Sequence, residues 1–440
     1  MRCATACCFT EKEAIDWIHS RLKFGSRPGL DRIEAILSAL GNPEKKVRMI
    51  HIAGTNGKGS TVSYLKHLLM QTGLTVGTFT SPYIECFNER IAINQQMIQA
   101  EQLADLTWRV KAVVEKLDED SHLSGATEFE ILTAMGFLYF YEQQVDVAII
   151  EVGLGGLLDC TNVITPDLVG ITTIGLDHQD ILGETLEEIA FQKAGIIKDK
   201  VPVVCGNIEP AAMSVIEQVA KEKQAPVYSY QKDYSVNYLR PDAKWGERFN
   251  YADADGEMKN LFAPLLGHHQ IENAGMAIFL FKKYCELMGL PLQNKWIVQG
   301  LKATFWPARM ERMSQQPLII LDGAHNDHAM ARLVENLDEF KDFNKYVLFS
   351  ALQTKDVEGM LKMLLKIPNV KIVVSSFEHP KSIQMTEAFE QMAPEKLSVV
   401  SLWQFGLAEI LEKMQEEDML LVTGSLYFVS QVRELLLGQE

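Results

Sequence analysis

A glycine-rich stretch, Gly54-Thr55-Asn56-Gly57-Lys58-Gly59-Ser60-Thr61, constrains the fold of this chain more than any other part of its sequence. The apolar residues 47–53 before it predict a buried strand, and the pattern of residues 62–71 after it predicts an amphipathic helix. Residues 75–80 then predict a second strand. A glycine-rich turn between a strand and a helix is the context of a phosphate-binding loop, because backbone N–H groups at a helix N-terminus point at the anion.

The side chains of this stretch suit an anionic ligand. Lys58 would reach terminal phosphates, and the hydroxyl of Ser60 or Thr61 could bind Mg²⁺. The spacing departs from GxxxxGK[ST], because Ile52 stands at the first glycine and Gly59 separates Lys58 from Ser60. A simple turn with a solvated lysine is the alternative, and the predicted strand and helix on either side favour the phosphate loop.

Three further groups follow predicted strands. Residues 145–151 are almost entirely apolar and end in Glu151, which predicts either a Walker B-type Mg²⁺ ligand or an acid that merely ends a strand. Residues 168–174 predict a strand that leads to His178, for which a metal-binding and a structural role are equally supported. Ser81 follows the strand at 75–80, at the edge where open parallel sheets bind ligands.

Composition limits the classes of protein that this chain could belong to. Its 440 residues predict two or three domains. A net charge of −16 argues against broad binding of nucleic acid, which needs a basic face. The seven cysteines show no zinc-binding spacing, which indicates reduced thiols in a cytoplasm, and we assign no role to Cys3, Cys7 and Cys8. No apolar run could cross a bilayer and no secretory signal is evident, so we expect a cytoplasmic protein without membrane partners.

The pattern along the chain predicts an α/β protein of two domains. Residues 11–41 are predicted to be helical with Asp31 as an N-cap. Within residues 201–262 the pattern is more typical of strands, at 201–204, 227–230, 236–239 and 249–251. From residue 318 onward, strand and helix patterns alternate, which predicts a second parallel sheet. We therefore expect a first domain at 1–302 that carries the phosphate loop on a mostly parallel sheet, and a Rossmann-like domain at 303–440. The end of the last predicted strand, residues 423–425, is either an anion-binding turn or a helix N-cap, and we favour the cap.

The run from His51 to Ser60 resembles that of the Mur ligase superfamily and, within it, the folylpolyglutamate synthase family. Further matching motifs cover nearly the whole chain in the family's order, at residues 29–32, 40–43, 80–82, 89–91, 151–156, 159–162, 177–178, 193–196, 267–270, 273–274, 306–311, 322–326 and 355–356. The resemblance implies a P-loop ATPase domain followed by a Rossmann-like domain, with the active site in the cleft between them.

The resemblance also implies roles for individual residues. Around the ATP phosphates it places Thr55, Asn56, Gly57, Lys58, Gly59 and Ser60, with Arg309 as a further phosphate contact. It implies Ser81, Glu151 and His178 as Mg²⁺ ligands, which favours the metal-binding role for His178. Asn273 and Asp322 would contact adenine and ribose, and His325 would lie near the γ-phosphate. Lys193 matches a lysine that the family carbamylates, which makes it a further Mg²⁺ ligand. The implied catalytic residues are Lys58, Lys193 and His325, and the implied cofactors are ATP and two Mg²⁺ ions, with K⁺ as an additional candidate.

Four positions depart from the family pattern. Leu157 replaces an arginine, Cys160 an alanine, Ala308 a glycine and Asp327 a proline. Leu157 is the departure that could matter, because a lost cation near phosphate or substrate would have to be replaced.

The activity implied by the resemblance is ATP-dependent addition of L-glutamate to the γ-carboxylate of a folate through an acyl phosphate. Lys58, Arg309 and Mg²⁺ would supply the positive charge, and we expect a monomer that binds folate and glutamate. Dihydrofolate synthase activity, alone or in addition, is the main alternative. A peptidoglycan Mur ligase fits the segments at 29–32 and 40–43 less well, and a GTPase would need an NKxD motif, which the sequence lacks. A non-enzymatic sensor, which would bind ATP without turnover, is a further alternative.

Overall fold

The computed structural model describes residues 9–25, 27–337, 340–384 and 387–438. The helices are α1 (Glu11–His19), α2 (Asp31–Ala39), α3 (Lys58–Met70), α4 (Ala100–Leu117), α5 (Glu128–Glu142), α6 (Gln179–Leu182), α7 (Leu186–Ala194), α8 (Pro210–Glu222), α9 (His268–Met288), α10 (Asn294–Ala303), α11 (Asp327–Leu337), α12 (Val357–Leu364), α13 (Glu387–Met392), α14 (Trp403–Lys413) and α15 (Leu426–Leu437). The strands are β1 (Met49–Ala53), β2 (Val76–Phe79), β3 (Ile91–Ile93), β4 (Gln96–Met97), β5 (Val147–Glu151), β6 (Leu168–Ile171), β7 (Val203–Cys205), β8 (Val227–Ser229), β9 (Tyr234–Pro241), β10 (Glu247–Asp253), β11 (Gly256–Ala263), β12 (Glu311–Gln315), β13 (Leu318–Leu321), β14 (Lys345–Phe349), β15 (Val370–Ser375), β16 (Leu397–Val400) and β17 (Met419–Thr423).

The chain divides into two compact units. The first contains residues 1–237, 249–262 and 272–304, and the second contains residues 238–248, 263–271 and 305–440. The α/β fold class with mostly parallel sheets is confirmed.

An eight-stranded sheet with the order β4-β3-β2-β5-β1-β6-β7-β8 forms the centre of the first unit. The six strands from β2 to β8 in this order run parallel, and β3 and β4 extend the sheet in antiparallel pairing. The strand β1 lies between β5 and β6, so the chain leaves it at a point where the strand order reverses. Such a switch point is where open α/β sheets bind ligands, at the carboxyl ends of the strands.

Hydrophobic cores cover both faces of this sheet. Ala148 and Ile150 of β5 pack with buried residues of α4 and α5, whereas Val169 and Ile171 of β6 pack with buried residues of α7 and α8. Burial on both faces explains why these strands are unbroken apolar runs rather than alternating patterns.

A six-stranded sheet with the order β12-β13-β17-β14-β15-β16 forms the second unit. All its neighbouring strands are parallel except β12, which pairs antiparallel with β13. Ser425 is the N-cap residue of α15, as favoured from the sequence, although its side chain makes no capping hydrogen bond.

One local prediction was wrong and another was incomplete. Leu30, and not Asp31, is the N-cap of α2, and Asp31 is the first helical residue. The strands predicted within residues 201–262 are confirmed as β7, β8, β9 and β10, but the helix α8 at Pro210–Glu222 between β7 and β8 was not predicted. A proline at the first helical position and buried Ala212, Ile216 and Ala220 at four-residue spacing are the signals of this helix. Among the helices that the structure describes, none is long and apolar enough to cross a membrane.

Candidate active site

The glycine-rich stretch forms a tight loop between β1 and α3. Gly57 is the N-cap of α3, with a φ of 84° that favours glycine. A Cβ atom on Gly57 would lie 2.5 Å from Oδ1 of Asn273, so Asn273 packs directly on the loop. The loop therefore has the glycine-dependent geometry that the phosphate-binding prediction requires.

Hydrogen bonds attach this loop to the residues that follow β6. The Thr55 amide donates to Thr173 O at 2.8 Å, and the Asn56 amide donates to Thr173 Oγ1 at 3.0 Å. Thr172 Oγ1 donates to Asn56 O at 2.6 Å, and Gly175 N donates to Thr55 Oγ1 at 3.0 Å. These bonds fix the loop on the segment that leads to His178.

The Lys58 side chain folds back over its own loop. Its Nζ donates to Gly54 O at 2.9 Å and to Thr55 O at 3.3 Å. Ser60 and Thr61, the two candidate hydroxyls, are both buried in the first turn of α3. The loop thus combines a helix N-terminus with a lysine ammonium held at its edge, and both attract anions.

Ser81 and Glu151 meet at the carboxyl edge of the sheet. They follow or end the neighbouring strands β2 and β5, and Ser81 N donates to Glu151 Oε2 at 3.2 Å. The Glu151 side chain is buried. The structure therefore brings together two of the predicted metal-binding residues.

Lys193 is a buried lysine near the C-terminus of α7. It is 4% exposed. Burial, with a further contribution from the charge of Lys58, lowers the pKa of Lys193 to about 7, although the carboxyl groups of Asp177 and Asp159 act in the opposite direction. A Cβ atom on Gly156 would lie 3.0 Å from Lys193 O, so the glycine-rich turn after β5 packs on this end of the helix.

His178 occupies a more open position. Its backbone has a φ of 50°, and its amide donates to Asp177 Oδ1 at 2.9 Å. Its side chain is 47% exposed, with Nε2 3.9 Å from the same carboxylate oxygen. Within the described residues, no group of three or more His, Cys, Asp or Glu side chains has a metal-binding arrangement. The predicted ligand set differs from such a group, since it includes a serine hydroxyl and a modified lysine.

The remaining predicted residues lie on one loop system of the second unit. Asp322 accepts hydrogen bonds from Met310 N and Ala324 N, both at 2.9 Å, and burial raises its pKa while nearby Arg309 opposes the change. Arg309 Nη1 donates to Ala308 O at 3.1 Å, and a ring nitrogen of His325, Nδ1, lies 2.8 Å from Gly323 O. Arg309, Asp322 and His325 are therefore assembled on adjacent turns.

The departures from the family pattern have local explanations. Leu157 packs against the end of α7, since a Cβ atom on Gly195 would lie 2.4 Å from Leu157 Cβ. Cys160 Sγ lies 3.1 Å from Thr133 Oγ1 in the core. Ala308 is buried with a φ of 52°, a backbone conformation in which glycine would be less strained. Asp327 begins α11, where a negative charge is favourable.

Sequence reasoning missed one buried polar group beside this site. His51 lies in the middle of the apolar strand β1 and is fully buried, with Nε2 2.9 Å from Thr161 Oγ1. A histidine inside an apolar run was the available signal. The motif at 159–162 was identified from the sequence, but its connection to His51 was not.

Family models match both parts of the chain. A Mur ligase middle domain matches residues 52–281, and a Mur ligase glutamate ligase domain matches residues 308–426. The dihydrofolate synthase/folylpolyglutamate synthase of Bacillus subtilis is 39% identical, over 97% of this chain and 99% of the relative. The folylpolyglutamate synthase of Lacticaseibacillus casei is also 39% identical, over 97% of this chain and 98% of the relative.

A solved structure extends the likeness to the fold. An FPGS–AMPPCP–folate complex superposes with a TM-score of 0.85 at 37% identity, over 98% of this chain and 100% of that chain. The chain therefore belongs to the Mur ligase family, in the branch of the folylpolyglutamate and dihydrofolate synthases.

Proposed function

We propose that this protein is an ATP-dependent ligase that joins L-glutamate to the γ-carboxylate of a folate or folylpolyglutamate. The observation that carries the proposal is the near-full-length match to folylpolyglutamate synthases, one of which is solved with AMPPCP and folate. AMPPCP is an analogue of ATP, so the likeness supports both the nucleotide and the folate as substrates. The products are ADP, phosphate and a folate with one more glutamate.

The loop from Thr55 to Ser60 would bind the ATP phosphates. Its glycines allow close approach of the backbone, and Lys58 supplies a positive charge at its edge. We assign Asn273 and Asp322 to the adenosine part, Arg309 to a phosphate and His325 to the region of the γ-phosphate. In a protein of net charge −16, such local cations are needed to hold an anionic nucleotide.

The residues at the carboxyl edge of the sheet fit Mg²⁺. Mg²⁺ prefers oxygen ligands, and the Ser81 hydroxyl and the Glu151 carboxylate belong to residues in direct contact. We propose these two groups, His178 and a carbamylated Lys193 as the residues that would hold two ions. When bound, Mg²⁺ neutralises phosphate charge.

Burial supports a carbamylated Lys193. Carbamylation joins a neutral amine to CO₂, gives a carboxylate-like carbamate and releases a proton. Because burial lowers the pKa of Lys193 to about 7, a substantial fraction of its amine is neutral and reactive near neutral pH. The modification would replace a poorly solvated cation by an oxygen ligand at the edge of the predicted metal site.

The chemistry proceeds in two displacements. A γ-carboxylate oxygen of the folate attacks the γ-phosphorus of ATP, and ADP leaves. The glutamate amine then attacks the acyl carbon, phosphate leaves, and the amine loses a proton. Negative charge gathers in both steps, so Lys58 and Arg309 act by orienting the reactants and stabilising that charge.

The predictions for oligomeric state, location, domain bounds and K⁺ are also part of this proposal. We propose a monomeric, cytoplasmic protein with an ATPase domain at 1–302 and a ligase domain at 303–440, and K⁺ as a further ion without assigned ligands. Dihydrofolate synthase activity is the second candidate, because the Bacillus subtilis relative carries both names.

Phosphate release tests the proposal. The purified protein, with MgATP and L-glutamate, would be offered tetrahydrofolate, dihydropteroate or a UDP-muramyl peptide in separate reactions. Release that needs both glutamate and tetrahydrofolate supports the proposed activity, and release with dihydropteroate adds the second one. Binding of ATP without any release would instead favour a sensor.

A further inference from the structure

Three buried side chains beside Lys193 form a hydrogen-bonded chain that the ligase chemistry does not use directly. His51 Nε2 lies 2.9 Å from Thr161 Oγ1, and Thr161 Oγ1 donates to Asp159 Oδ1 at 2.5 Å. His51 and Thr161 are fully buried and Asp159 is 7% exposed. Such a chain is expensive to bury unless its donors and acceptors match.

The direction of each hydrogen bond follows from the acceptor at its end. As a carboxylate, Asp159 can only accept, and it also receives the amides of Thr161 at 3.0 Å and Leu154 at 2.8 Å. The Thr161 hydroxyl therefore donates to Asp159 and must accept from His51. His51 is thus the tautomer with its proton on Nε2, and burial lowers its pKa to about 3, which keeps the ring neutral.

The segment 159–162 reaches three parts of the site. Through Thr161 it is bonded to β1, the strand that leads into the phosphate loop. Through Asp159 it is bonded to Leu154 in the glycine-rich turn after Glu151. Through Asn162, whose Nδ2 donates to Leu157 O and to Gly195 O, both at 3.0 Å, it is bonded to the end of the helix that carries Lys193.

We propose that residues 159–162, anchored on β1 by His51, form a positioning unit that fixes Lys193 and the glycine-rich turn relative to the phosphate loop. His51, Thr161 and Asn162 are positioning residues, since they act through the residues that they hold. The importance of this unit for turnover rests on the proposed role of Lys193, whereas its structural role does not.

A matched pair of substitutions at Thr161 tests the hydroxyl. Thr161→Val keeps the shape and removes the hydroxyl, whereas Thr161→Ser keeps the hydroxyl and removes a methyl group. We expect Thr161→Val to lower kcat by about 10-fold or more, as for other groups that orient the ligands of a metal, and Thr161→Ser to stay within about twofold. The KM for MgATP should change little in both, because the loop's own bonds run to residues 172–175.

Hydrogen–deuterium exchange gives a readout that is independent of turnover. The amides of residues 192–197 should exchange faster in Thr161→Val than in the parent, and Thr161→Ser should match the parent. If the parent shows no glutamate-dependent phosphate release, the proposed function fails, and the exchange data still decide the positioning role.

A second pair covers the case in which Thr161→Val does not fold. His51→Gln retains an N–H donor at the position of Nε2, and His51→Leu does not. Retention of kcat and exchange protection by the glutamine variant alone supports the proposal. Equal losses in both members of a pair, or parent-like kcat and protection without the donor or hydroxyl, would overturn it.

Discussion

Replacement of Lys193 by methionine should stabilise the ligand-free protein, because it removes a buried ammonium group. The pKa of Lys193 is about 7 in the fold and 10.5 for an ordinary lysine, a difference worth about 5 kcal/mol. Between these two values the unfolded chain binds more protons than the folded one, so stability rises with pH. The penalty is therefore fully present below pH 7 and disappears as pH approaches 10.5.

The methionine variant has no such penalty. Its advantage in the free energy of unfolding should reach several kcal/mol, up to about 5, at about pH 6 and should be clearly smaller at about pH 9. Urea unfolding in CO₂-free buffers, followed by tryptophan fluorescence, measures it. Lys193→Arg is the matched control, because arginine stays charged at both pH values and therefore keeps the free-energy cost of a buried positive charge. An advantage that is absent at the lower pH, or equal at both, would refute the reasoning.

Three further substitutions test separate parts of the structure. Lys58→Ala should lower glutamate-dependent phosphate release by about 100-fold or more, and near-parental release would contradict the phosphate-loop assignment. Gly57→Ala should weaken nucleotide binding by about 10-fold, because a φ of 84° is unfavourable for alanine and the new methyl group would lie 2.5 Å from Asn273 Oδ1. Titration with a fluorescent nucleotide measures the affinity, and an unchanged value would contradict the prediction. Arg433→Leu should destabilise the second unit by about 3–5 kcal/mol, because it leaves the Glu311 carboxylate, whose side chain is only 10% exposed, without its guanidinium partner at 2.8 Å. An unchanged urea midpoint would count against this ion pair.

The parallel strands near the site could be predicted from the sequence because burial on both faces makes them continuous apolar runs. The approach of Ser81 to Glu151 followed from the same prediction, since the carboxyl ends of parallel strands share an edge. The helix α8 was missed although Pro210 marks its start, because short apolar stretches on either side of it suggested strands throughout. The local sequence pattern was therefore sufficient to predict the parallel strands of the first unit, but not the helix α8 between β7 and β8.

Lys193 could not be found from residue patterns at all. A lysine near the end of a short helix is usually solvated, and its burial here depends on the glycine-rich turn that packs on it from a distant part of the sequence. Only the family resemblance identified it. The partner of His51 was hidden for the same reason, because 110 positions separate it from Thr161.

The position of Lys58 affects the entropy of nucleotide binding. A free lysine side chain has about 2 kcal/mol of rotamer entropy to lose when it is immobilised. Here the hydrogen bonds from its Nζ to Gly54 O and Thr55 O already restrict the Lys58 side chain within the fold itself. Most of that freedom is therefore lost during folding, and an incoming phosphate meets an ammonium group that needs to exchange partners rather than to become ordered.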